Sequence, residues 1–198
     1  MSKIREKYRG SRAFTREIAL LSLLSALAIS SNYALVVVPN VKLMDAIVFS
    51  SSLAFGMRFG ATLAVVIWIV YGTLNPWGFS LPTLIVVTLS EMVYVLFSRI
   101  ALSLKAEWNK INLYNSLFLS SLGFFSTFVY DVITNSFVGY LFYGSVIMGL
   151  LTMNFPLPMG LIHEISNAFL FPLITPEICD MCGKLKMEDK NLNRRYLG

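Results

Sequence analysis

The chain has 198 residues, of which 56% are hydrophobic and 14% charged, with a formal net charge of +5. A soluble domain of this size could not cover itself with so little charge, so the composition excludes an ordinary water-exposed globule and points to a lipid-embedded chain. The charge is concentrated at the two ends, in Lys3, Arg5, Lys7, Arg9, Arg12 and Arg16, and in Lys184, Lys186, Lys190, Arg194 and Arg195. Beside apolar runs such clusters read as cytoplasmic flanks that set topology rather than as a nucleic-acid surface.

A helix needs about 20 residues to cross about 30 Å of hydrocarbon. The first apolar run is Ile18 to Val38, broken by Pro39 and Asn40. Ala26-Leu27-Ala28 resembles a leader cleavage site but lies inside this run, so an uncleaved span is expected. The second run, Leu43 to Phe55, is short for a span. The third is Phe59 to Leu74, closed by Asn75-Pro76-Trp77-Gly78, and the fourth is Leu81 to Leu104. The fifth is Leu117 to Leu141. A Gly- and aromatic-rich connection then leads to Pro156-Leu157-Pro158, and the sixth run is Met159 to about Ile174, with Pro172 and Pro176 near its end. The expectation is an all-α integral membrane protein of six transmembrane helices spanning residues 18–178. Basic segments at 1–17 and 179–198 flank it, with both termini cytoplasmic. With that orientation, Lys42 alone among the 16 Lys and Arg falls on the outer side, the bias that fixes topology in membrane proteins.

Ionisable side chains inside a membrane are costly and each needs a reason. The runs contain Asp45, Glu91, Asp131, His163 and Glu164. Topology puts Asp45 near the outer end of the second run, Asp131 in the outer half of the fifth, and His163 and Glu164 within two turns of the outer end of the sixth. Asn135 follows Asp131 by four residues and Asn167 follows His163 by four, so each pair shares a helix face. Tyr71 and Asn75 close the outer end of the third run, with Trp77 just beyond and Asn40 in the first loop. Most intramembrane polar groups therefore share one depth, as a pocket open to the outside would require, while the inner halves read as almost purely apolar and Glu91 lies deeper. Acids outnumber bases at that depth, so the expected ligand carries a positive charge or several hydrogen-bond donors. Structural alternatives stay open: Asp131 as a helix–helix hydrogen-bonding group, His163 as a donor to a carbonyl, Asp45 as a cap of the second helix, and Trp68, Trp77 and the tyrosines as interfacial anchors.

In the first run Ser22, Ala26 and Ser30 recur at four-residue spacing. Such a stripe lets another helix approach closely, either a partner subunit or a neighbour in this bundle. Cys179 and Cys182 form a single C-x-x-C, one pair short of a four-ligand zinc site. No nucleotide-binding loop G-x-x-x-x-G-K-[ST] and no G-x-S-x-G elbow occurs, one histidine cannot build a His-rich zinc centre, and no catalytic constellation is evident.

Pro39-Asn40-Val41-Lys42-Leu43-Met44-Asp45, followed by Leu53-Ala54-Phe55-Gly56-Met57-Arg58-Phe59-Gly60-Ala61, resembles the S components of energy-coupling factor (ECF) transporters, which often carry a Gly-x-Arg-Phe-Gly-Ala-like turn between the second and third helices. Tyr130-Asp131-Val132-Ile133-Thr134-Asn135 is similar to an aromatic-Asp-x-x-Thr-Asn stretch in the fifth helix of some members, and Ala64 stands where the family usually has a third small residue. The resemblance implies a prokaryotic plasma-membrane subunit that captures a vitamin, cofactor precursor or metal at the outer face. It also implies docking through small residues of the first helix to a membrane scaffold subunit with two ABC ATPases, which use the ATP. The substrate side chains expected on that basis are Asp131, Asn135, His163, Asn167 and Glu164, with Tyr71, Asn75, Trp77, Asn40 and Asp45 as rim or lid. A self-contained proton-coupled carrier and a membrane enzyme or assembly factor are the alternatives.

Overall fold

A computed structural model describes residues 2–76, 78–104, 107–154 and 159–197. It is 85% helical, with no strand among the described residues. The helices are α1 (Ser2–Ala34), α2 (Leu43–Phe55), α3 (Met57–Thr73), α4 (Leu81–Ser90), α5 (Met92–Ser103), α6 (Leu113–Tyr143), α7 (Val146–Asn154) and α8 (Met159–Leu197). Phe14–Ala34, Leu81–Ser103 and Leu113–Tyr143 are long and apolar enough to cross a membrane, which suggests a membrane-embedded protein. Two further apolar helices, α2 and α3, are shorter. At 1.5 Å per residue, α2 is only about 20 Å long.

Inter-helix contacts give the directions. Asn32 of α1 meets Met44 of α2, while Arg16 shares a cleft with Phe55, so α1 and α2 are antiparallel. Phe49 stacks on Phe171 at 4.6 Å and Ser50 pairs with Thr175 at 2.8 Å. Cys182 then donates to the Ala54 carbonyl at 3.1 Å, so α2 and α8 run parallel. Asp131 meets His163 and Thr127 meets Asn167, so α6 and α8 are antiparallel. The rods α1, α2, α3, α4–α5, α6 and α8 thus alternate between two ends of one bundle, with α2, α6 and α8 sharing its centre. One end carries Asp45, Asp131 and His163; the other carries Phe55 and Cys182.

Local chemistry explains the main boundaries. Gly56 separates α2 from α3 at φ +103°, a backbone region that costs other residues dearly, so the Gly-Met-Arg-Phe-Gly turn forms without a loop. Asn112 caps α6 by accepting from the Asn115 amide at 2.8 Å, and Gly144 ends it in the left-handed region. The fourth run is one rod of two helices. At Glu91 the ladder tightens, with the Tyr94 amide donating to the Glu91 carbonyl, a local 3₁₀-type adjustment.

Two expectations need correction, and one connection gains a helix. The first helix begins at Ser2 and stops at Ala34, short of Val38. Its last expected residues form turns, because Pro39 biases its predecessor away from the helical region. The connection after the fifth run contains α7. The sixth helix does not end near Ile174: α8 continues through Pro172 and Pro176 to Leu197. Proline in a helix removes one ladder bond, and neighbouring helices clamp this segment, with Thr175 pairing to Ser50 and Ile178 and Cys182 buried. Trp77 and Pro156-Leu157-Pro158 lie outside the described residues.

Candidate functional site

Three helices deliver the polar cluster. Asp45, in the first turn of α2, is 1% exposed and makes no capping bond. Instead its Oδ2 lies 2.7 Å from His163 Nε2 and accepts from Asn167 Nδ2 at 2.8 Å. His163, on α8 and also 1% exposed, presents its other nitrogen to α6, with Nδ1 at 3.0 and 3.1 Å from the two Asp131 oxygens. The imidazole therefore bridges two carboxylates rather than donating to a carbonyl. Neutral imidazole has one donor and one acceptor, so facing two carboxylates requires an extra proton on the triad, either on the ring or on a carboxyl. With that proton in either place, Asp45, His163 and Asp131 together carry net charge −1.

Asn167, one turn beyond His163, gives its second donor bond to Thr127 Oγ1 at 2.8 Å. Thr127 in turn donates to the Gly123 carbonyl at 2.7 Å and accepts from the Tyr94 hydroxyl at 3.3 Å. The close approach of α6 and α8 depends on Gly123: a Cβ there would collide with the Asn167 carbonyl. Thr127 belongs to the site although only Asp131 and Asn135 were expected from α6. Its signal is the four-residue stripe Gly123, Thr127, Asp131 on one face.

An aromatic wall completes the cluster. Trp68 Nε1 donates to Glu91 Oε2 at 2.9 Å, and both side chains are buried. Glu91 is therefore tied to the aromatic wall through Trp68. Tyr71 is buried and packs edge-on against Tyr33 at 5.4 Å and Trp68 at 6.0 Å. Tyr130 packs against Tyr94 at 5.5 Å and edge-on to His163 at 5.9 Å. Trp68 and Tyr71 are thus wall elements rather than interfacial anchors.

The remaining expected residues divide. Asn40, in the left-handed region at φ 56°, Asn75 and Asn135 are half-buried. Glu164 lies about 100° round the helix from His163; it is half-buried and makes no hydrogen bond to the cluster. Trp77 is outside the described residues. The cluster itself is closed: Asp45, Glu91, Asp131, His163 and Asn167 are all at most 8% exposed.

On α1, Leu24, Ser25 and Ala28 face the bundle, whereas Ser22, Ala26 and Ser30 face outward. The small-residue stripe is therefore not used for packing within this chain. Toward the opposite end, where the sequence reads as almost purely apolar, buried hydroxyls pair as Ser50–Thr175 and Ser52–Ser98, each at 2.8 Å. That end also opens into a cleft of about 290 Å³ lined by Arg16, Phe55, Phe59, Cys182 and Lys186 among others. Cys179 and Cys182 are unlinked, and burial pushes the Cys179 thiol up to about 12. Among the described residues no group of three or more His, Cys, Asp or Glu is arranged to hold a metal ion.

Comparison with protein-family models, curated proteins and solved structures gave no match.

Proposed function

We propose that this chain is the substrate-capture subunit of an ATP-driven importer of the ECF type, a six-span S component of a prokaryotic plasma membrane with both ends in the cytoplasm. The observation that carries the reading is the meeting of Asp45, Asp131, His163 and Asn167, from three helices, in one buried cluster walled by aromatic rings. Charged groups cost far more to bury in a membrane than the hydroxyls that suffice for helix contacts, so their assembly at one depth marks a ligand or ion path. The bound molecule is a vitamin, cofactor precursor or similar small molecule. Asp131, His163 and Asn167 are its polar grip, Asp45 bridges to them, and Tyr71, Asn75 and Asn40 form the rim. In this structure the grip is closed on itself, so binding opens the cluster and exchanges internal hydrogen bonds for bonds to the ligand.

The outward stripe Ser22, Ala26 and Ser30 supports docking to a membrane scaffold subunit that brings two ABC ATPases, with ATP consumed on those partners. Pull-down of tagged protein from native membranes in mild detergent tests the reading. The expected result is co-recovery of a membrane scaffold and two ABC ATPases, weakened by Ser22→Leu or Ala26→Leu. Clean recovery of the chain alone, under conditions that preserve other membrane complexes, contradicts it.

One observation favours a second reading, a self-contained proton-coupled carrier: Glu91 is fully buried at the break between α4 and α5, where a buried carboxyl can serve as a proton relay. Uptake into proteoliposomes under a pH gradient alone, abolished by Glu91→Gln, would select it; no uptake without the ATPases selects the importer.

A further inference from the structure

Lys42 is the one fixed cation expected on the outer side, and the structure gives it an aromatic seat. Its Nζ lies 6.0 Å from the ring centroids of both Trp68 and Tyr130. A cation over an aromatic face within about 6 Å is attracted by the ring quadrupole. Both rings are fixed, Trp68 by its bond to Glu91 and Tyr130 by packing on Tyr94 and His163. Lys42 is not: it immediately precedes α2, is only half-buried, and carries its charge on a flexible four-carbon stem.

The same cluster holds three buried acceptor oxygens without a hydrogen-bond partner, Asp45 Oδ1, Glu91 Oε1 and Asn167 Oδ1, on side chains no more than 1% exposed. Buried acceptors are normally satisfied, so each exception needs an explanation. The titratable and charged groups around the seat are Asp45 on α2, Tyr71 on α3, Glu91 at the α4–α5 break, Asp131 and Tyr130 on α6, Tyr94 on α5, His163 on α8 and Lys42 itself. The Asp45–His163–Asp131 triad is net negative by hydrogen-bond counting, Glu91 adds a further carboxyl, and the walls are ring faces. The ring faces suit an organic cation, the orphan acceptors suit a donor such as a hydroxyl on the same molecule, and the site repels an anion.

We propose that the site takes an organic monocation and that Lys42 is its tethered stand-in, holding the Trp68–Tyr130 seat until the ligand displaces it. The inference rests on the small-molecule reading above and narrows its ligand. It also fixes a sign. If Lys42 competes with a cation, removing its charge strengthens binding; if Lys42 grips an anion, removing it abolishes binding.

The test titrates purified protein in detergent with choline, its neutral isostere 3,3-dimethylbutan-1-ol and the anion 3,3-dimethylbutyrate, read by tryptophan fluorescence and thermal unfolding. Choline is expected to bind weakly to wild type and to Lys42→Arg, and about tenfold more tightly to Lys42→Gln, while the neutral and anionic probes bind none of the three. Choline binding that is absent, unchanged or weaker in a folded Lys42→Gln overturns the proposal. So does equal binding of the neutral isostere, or butyrate binding lost with Lys42. Failure of the pull-down with the Lys42→Gln gain intact would overturn the importer reading alone; the reverse pattern would leave the importer and remove the cation.

Discussion

The two ends of this bundle solve the same problem in different ways. At the Cys182 end, polar groups that must be buried are small and neutral: Ser50 with Thr175, Ser52 with Ser98, and the Cys182 thiol on the Ala54 carbonyl. At the Asp45 end, helices of the same bundle are joined by two aspartates, a histidine and an asparagine, with a glutamate behind a tryptophan. Hydroxyl pairs are enough to join helices in an apolar medium, each worth about 0.6 kcal/mol. Burying ion pairs costs desolvation that their attraction often fails to offset. The Cys182 end therefore shows what structural glue looks like in this protein, and the Asp45 end exceeds it in a way that structure alone does not require.

The largest expected effect comes from the close approach of α6 and α8 at Gly123. Gly123→Leu forces a side chain into the Asn167 backbone and separates α6 from α8. It should cost at least about 1–3 kcal/mol, seen as a lower unfolding temperature in detergent together with loss of the site. An unchanged unfolding temperature would mean that α6 and α8 do not pack as described. Asn167→Ala comes next. It leaves Asp45 Oδ2 and Thr127 Oγ1 each one donor short, about 1–3 kcal/mol, and should weaken ligand binding about tenfold or more. Ser50→Ala is the matched control at the other end: it should cost no more than about 1 kcal/mol and leave ligand affinity unchanged. If Ser50→Ala and Asn167→Ala affect binding equally, the contrast between the ends has no functional meaning. The smallest effect is chemical. With its thiol held near 12 by burial, Cys179 is almost wholly protonated at neutral pH, and the thiolate is the nucleophile. Maleimide labelling of a Cys182→Ala protein should be slow at pH 7 and rise about tenfold per pH unit up to pH 10. A plateau below pH 9 would show an ordinary exposed thiol.

Much of this was legible in the sequence because the signals are local. The helix starts at Leu43 and Leu81 follow from Pro, Asn and Gly punctuation. Asp131, His163 and Asn167 were legible as candidates because helical spacing follows from one chain, and the structure brings them together. Asp45 was found too, yet its alternative as a cap is settled only by its partners on α8. What was not legible depends on neighbours. The passage of α8 through Pro172 and Pro176 needs the clamp from α2, and the union of Glu91 with the cluster needs Trp68 from a helix whose rotation no periodicity fixes. Thr127 was readable in principle, one turn before Asp131, but a threonine in an apolar helix usually bonds its own backbone, as Thr127 also does. Lys42 was legible as the outlier of the charge pattern, whereas its place over two rings was not.

The most direct test of the central claim, that the Asp45–His163–Asp131 cluster holds a ligand, is to extract small molecules from protein purified out of native membranes. Mass spectrometry then compares wild type with Asp131→Ala, with circular dichroism to verify that both are folded. The account expects one small molecule at near-stoichiometric yield from wild type and none from the variant. The same yield from a folded Asp131→Ala, or none from either, would contradict it and reduce the cluster to a structural joint between α2, α6 and α8.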